Sequence, residues 1–131
     1  MRGILGRHTD KFYALFRIVV GLLFACHGAQ KLFGAFGGQA QPVASLMGFA
    51  GIIEFFGGLL VMIGLFTSWA AFLASGTMAV AYFMVHFKDG FWPIENKGET
   101  AVLYCFAFLY IAARGAGPWS VAQALGKPGL E

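Results

Sequence analysis

Charge is scarce in this sequence. Of 131 residues, nine are Lys or Arg and six are Asp or Glu, 11% in all, where a soluble domain carries about 25%. With 59% hydrophobic and 17% aromatic residues, the chain cannot be accommodated as a soluble monomer, because a small domain leaves too much surface in water. The same numbers exclude intrinsic disorder. Nine scattered basic residues and a net charge of +3 make no nucleic-acid footprint. Cysteine is scarce as well: Cys26 and Cys105 lie far apart and form neither a disulfide framework nor a CxxC motif. No internal repeat, low-complexity tract, HExxH element or haem motif is present.

What is present is long apolar runs. A spanning helix needs about 20 mostly apolar residues, and four candidates occur, Phe12–Phe33, Met47–Phe66, Trp69–Phe87 and Thr100–Ala113. The fourth is short and gains length if Gly98 and Glu99 extend it, giving helices over roughly 12–33, 47–66, 69–87 and 98–114. The expectation is an all-α membrane protein, a four-transmembrane-helix bundle forming one domain over 1–131. Gly34–Gly38 and Gln41-Pro42 break the first helix. Thr67-Ser68 predicts a tight hairpin turn, with Ser68 a candidate cap for the third helix. Lys88–Pro93 ends the third span, Glu95–Gly98 leads into the fourth, and Gly115, Gly117 and Pro118 close it. Trp92 and Trp119 suit the membrane boundary.

Four spans place Arg2, Arg7, Lys11, Arg114 and Lys127 on one side and Lys31, Lys88 and Lys97 on the other. The positive-inside rule then predicts both termini in the cytoplasm and a multi-pass protein of the cell inner membrane. The basic start followed by Ile18–Ala25 resembles a signal peptide, but the span runs on past Cys26 with polar residues, so cleavage is not expected.

Ionisable residues inside a bilayer are costly and face the bundle interior or a wet cavity. Here they gather at the outer end. His27, Gln30 and Lys31 end the first span, Glu54 lies two turns into the second, His86 ends the third and Glu99 begins the fourth. His27 and Lys31 share a helix face. Gly48, Gly51, Glu54 and Gly58 form a small-residue packing stripe that turns Glu54 inward. Ala71, Ser75, Ala79, Tyr82 and His86 do the same for the third span, with Tyr82 one turn deeper than His86. A buried Glu54 needs a partner, and Lys31 is at the matching depth, with His27 and His86 alongside. The pair either serves a ligand or proton site opening outward or is an internal network that fixes helix register. A His/carboxylate metal site from His27, His86, Glu54 and Glu99 lacks compact ligand spacing, so no metal is expected. The two cysteines are either buried inert thiols or a redox pair. Arg17, apart from this cluster, snorkels to phosphate or caps the carbonyls of a neighbouring helix. Phe91 and Trp92 are either a lid over the pocket or an interfacial anchor.

These residues resemble the DoxX family of small four-helix membrane proteins. The matching stretches are Arg17–Gly34 with its His27-Gly28-Ala29-Gln30-Lys31 element, Gly51–Gly58 around Glu54, Gly64–Thr67, and His86–Pro93 with Asn96, Gly98 and Glu99. The resemblance implies an inner-membrane oxidoreductase component, with some members linked to quinones and others to thiol redox balance. On that footing Lys31 and Glu54 form the central pair, His27 and His86 donate hydrogen bonds or carry protons, and Gln30, Tyr82, Trp92 and Glu99 shape the entrance. The expected guest is a quinone or similar small hydrophobic ligand, with no covalently bound cofactor. Membrane lipid, a soluble redox partner protein and a second copy of the chain, docked through the glycine face, are the expected partners. The alternative is a non-catalytic membrane protein for ligand binding, transport or assembly.

Overall fold

The structure, a computed structural model, describes residues 3–131. Arg2, one of the basic residues counted above, lies outside the described residues. Among them there is no strand. Helix α1 runs Thr9–Phe33, α2 Leu46–Ile63, α3 Thr67–Asp89, α4 Pro93–Asn96, α5 Glu99–Arg114 and α6 Val121–Leu125. Among the described residues α1, α2 and α3 are long and apolar enough to cross a membrane. With 16 residues, α5 is about 24 Å long at 1.5 Å per residue, short of a hydrocarbon core of about 30 Å.

Local chemistry sets the boundaries. Gly34 takes a left-handed conformation at φ 69°, and its N–H donates to the Gln30 carbonyl as α1 ends. Ser45 caps α2 by accepting from the Gly48 N–H at 3.1 Å. The second helix stops at Ile63, three residues before the expected end. Gly64 turns left-handed at φ 75° and the Leu65 N–H reaches back to the Leu60 carbonyl, a closure that ends the helix whatever apolar residues follow. The expected cap at Ser68 is also corrected. Ser68 lies inside α3, and the N–H groups of Phe66 and Ser68 donate to the carbonyls of Leu130 and Glu131, at 2.7 and 2.9 Å. The chain's last segment thus caps this helix.

Large side chains face outward and small ones inward. Leu22, Leu23, Phe56, Phe72, Leu73, Leu103 and Phe106 are exposed, while Ala14, Ala25, Ala71, Ala74 and Ala101 are buried. That inversion of a soluble protein's pattern suits lipid as solvent, where close backbone approach rather than apolar burial holds helices together. The α1–α2 contact is built this way. A Cβ at Gly28 would lie 2.2 Å from the Phe55 nitrogen, and one at Gly58 2.6 Å from the Ala25 nitrogen. Within the chain, Gly51 and Gly58 of this face are occupied by α1. α3 meets α5 through small residues, with the Ser75 hydroxyl donating to the Cys105 carbonyl at 2.7 Å.

The start of α1, the turn between α2 and α3, the end of α5 and the C-terminal segment meet at one end of the bundle. Arg17 organises that end. It is 0% exposed, and its guanidinium donates to the carbonyls of Val61, Ala116, Pro118 and Trp119. Of the two roles open to it, Arg17 therefore caps carbonyls rather than snorkelling.

Candidate functional site

The opposite end carries the polar cluster. Lys31, in the last turn of α1, sets its Nζ at 2.7 and 2.6 Å from the two carboxylate oxygens of Glu54. Glu54 is 2% exposed and the Lys31 side chain 24%, so the carboxylate is enclosed and the ammonium keeps a path outward. The pair was legible by depth alone. What its helices add is two π-helical turns, Ile53–Gly57 in α2, which holds Glu54, and Tyr82–His86 in α3, which ends at His86. Such insertions re-aim side chains within a continuous helix and recur at functional sites.

Lys31, Glu54, His27 and His86 all line one cavity of about 280 Å³ between α1, α2, α3 and α5. The ring of His27 stands edge-on to Tyr104 at 5.9 Å. His86 holds its Nδ1 3.1 Å from the Asn96 carbonyl oxygen. A carbonyl only accepts, so Nδ1 donates in this contact and Nε2 is left free of it. Met47, Met78 and Phe24 supply the apolar part of the wall.

Four expected site residues stand elsewhere. Gln30 donates to the Phe36 carbonyl at 3.2 Å and packs under Gly38, so it orders the α1–α2 loop. Tyr82 lies one turn below His86, with ring centroids 6.3 Å apart. Its hydroxyl donates to the Phe91 carbonyl and accepts from the Asn96 amide, and its ring lines a different, apolar cavity together with Trp92. Trp92 is 63% exposed on that other side of the α3–α5 pair and so does not cover the polar cavity. Glu99 is exposed at the start of α5, where a carboxylate complements the helix dipole. Each belongs to the right end of the bundle but faces another way.

Tyr104, Thr100 and Lys97 line the polar cavity and were not among the expected site residues. The available signal was spacing: Thr100, Tyr104 and Phe108 recur every four residues and form a stripe on α5, whereas Lys97 precedes the helix and gave none. Cys26 and Cys105 are both free and half-buried. The Cys105 sulfur is 3.5 Å from the Ser75 hydroxyl. Among the described residues no three His, Cys, Asp or Glu side chains gather as metal ligands.

Outward-facing apolar helices and a charged pocket at one end of their bundle define a small all-helical membrane protein. The chain belongs to the DoxX family, whose pattern matches residues 12–87; the α5 wall of the pocket lies beyond the match. It is 40% identical to an uncharacterized protein of Haemophilus influenzae, an alignment covering 86% of this chain and 90% of that one. It is 26% identical to an uncharacterized membrane protein of Mycobacterium tuberculosis, over 85% of this chain and 79% of the other. No solved structure matches it.

Proposed function

We propose that the cavity receives the carbonyl-bearing head of a quinone or similar small hydrophobic molecule, as part of a membrane redox system. The observation that carries this is that the Lys31–Glu54 pair stands on the wall of a cavity instead of being packed over. A pair serving only to fix helix register gains nothing from an opening beside it. The volume of about 280 Å³ falls just below the range for drug-sized ligands, about 300–1,000 Å³, and so suits a single ring.

The donor set fits such a ring. An ammonium has three N–H donors, and the two Glu54 oxygens take two of those on Lys31. The third is available to a ligand carbonyl. Reduction of a quinone to a quinol takes up two electrons and two protons. His27 and the Nε2 of His86 are placed to pass protons, and the electrons come from a soluble partner enzyme.

In this reading α5 is the fourth span and the termini lie in the cytoplasm, on the side rich in Arg7, Lys11, Arg114 and Lys127. The membrane is the cell inner membrane, and the pocket opens on its outer side.

The test is binding of a tail-less ubiquinone head group to the full chain in lipid nanodiscs. Glu54→Gln and Lys31→Met are each expected to weaken it at least tenfold with helical content unchanged, the loss of about one charged hydrogen bond. Native affinity in both variants, or no binding to the native chain, overturns the proposal. Binding with no partner-dependent reduction would leave a non-catalytic carrier.

A further inference from the structure

The cavity at the ion pair has an apolar neighbour, with which it shares two wall residues. Its Tyr104 and Thr100 also line an apolar groove of about 290 Å³ along the seam between α1 and α5, with Phe16, Leu23 and Leu103 beside them. Phe16 in turn lines a larger hollow of about 570 Å³ at the other end of the same seam, under Tyr110 and Arg114. The cause lies in how the helices meet. α1 and α2 touch backbone to backbone through glycines, whereas α1 and α5 are held apart by rings. Phe24 sits 4.6 Å from Phe108 and 5.3 Å from Tyr104, and Tyr13 sits 5.8 Å from Tyr110. Helices spaced by rings leave furrows between them, and an unfilled furrow forfeits dispersion contacts.

The geometry points to a ligand that is a head with a long apolar tail: the head against Lys31 and Glu54, the tail leaving past Tyr104 and Thr100 to lie in the α1–α5 furrow. This rests on the pocket reading above and adds the class of molecule. From Thr100 to Ala107 the furrow follows about 10 Å of helix, and to Arg114 about 21 Å, at 1.5 Å per residue, most of a hydrocarbon core of about 30 Å. Leu23 and Leu103 are exposed along it, so it opens sideways to the acyl chains. A tail entering there never leaves an apolar phase, and the head reaches the ion pair without crossing water. His27 and Tyr104, edge to face at the junction, are the two rings that must part to admit it.

The experiment compares a tail-less ubiquinone head group with its decyl derivative on the full chain in nanodiscs. Concentrations are expressed per lipid, so that partitioning into the bilayer cancels. The native chain is expected to bind the decyl compound at least tenfold more tightly. Ala107→Phe, which fills the furrow, is expected to abolish that advantage while leaving the tail-less compound unaffected, and Leu103→Trp repeats the test from the same wall. Glu54→Gln is expected to weaken both compounds. Equal native binding of the two compounds, an advantage that survives Ala107→Phe and Leu103→Trp, or equal weakening of both compounds by these two variants overturns the furrow and leaves the pocket standing. A native chain that binds neither overturns the pocket and the furrow together.

Discussion

Two cations on α1 show how one apolar helix holds charge in two ways. Lys31 meets a carboxylate beside a cavity, while Arg17 meets only carbonyls in a closed shell. Removing one member of an enclosed ion pair strands the other, at about 3–5 kcal/mol, whereas replacing both by apolar groups is often neutral. Glu54→Gln is therefore expected to destabilise the protein by about 3 kcal/mol, the low end of that range, because Lys31 retains a path to water. The double variant with Lys31→Met is expected to recover most of the loss. Thermal unfolding of the four members of this cycle in one detergent is the check, and additive losses would refute the coupling. Arg17 makes a sharper case. Its fork spreads donors over several carbonyls at once, which a lysine point charge cannot reproduce. Arg17→Lys is expected to cost about 2 kcal/mol or more through stranded carbonyls and to free the segment after Gly115. Hydrogen exchange at Val121–Leu125 reads that release, and protection at the native level in Arg17→Lys would contradict it.

At the scale of elements, the facing small residues of α1 and α2 do the work of a hydrophobic core. Gly28→Leu puts a side chain where even a Cβ meets backbone at 2.2 Å, so α1 and α2 must separate. Loss of the folded, monodisperse protein is expected, well beyond the 1–3 kcal/mol of ordinary overpacking. Gly76→Ala, on α3 with nothing within 4 Å, is the control and is expected to be neutral or to gain up to about 1 kcal/mol of helix propensity. Size-exclusion profiles of the two variants separate these outcomes. The contrast also explains what the sequence could tell. Helix spacing predicted that Glu54 faces inward and that Lys31 matches its depth, because both sit on long periodic helices. Gln30, Trp92 and Glu99 sit at helix ends or in loops, where counting residues gives height in the bilayer but not direction. Tyr82 was placed at the right height, but its hydroxyl is claimed by Phe91 and Asn96. Arg17's partners were unreadable because a backbone carbonyl carries no sequence signature, and the π-helical turns leave the hydropathy pattern unbroken.

Across the whole molecule the two ends differ in kind. One is sealed by Arg17 and the C-terminal segment, and the other opens on charged groups. The proposed direction of that polarity, with the pocket outside and the termini inside, depends on α5 crossing the bilayer. Arg114, at the end of α5, pairs with Asp10 at the start of α1 at 2.5 Å, and the Tyr13 hydroxyl donates to the Gly115 carbonyl. Both contacts hold the end of α5 beside the start of α1. A helix of about 24 Å meets a core of about 30 Å by local thinning and by flanking residues that reach the interface, at fractions of a kcal/mol per Å. Four crossings put the α3–α5 loop and the C-terminal segment on opposite sides, and three crossings put them together. In a cysteine-free background, Asp89→Cys is therefore expected to react with a membrane-impermeant maleimide in intact spheroplasts, and Gln123→Cys only after permeabilisation. Labelling of both positions from the outside would mean that α5 does not cross, and the reverse pattern would invert the protein and turn the pocket towards the cytoplasm.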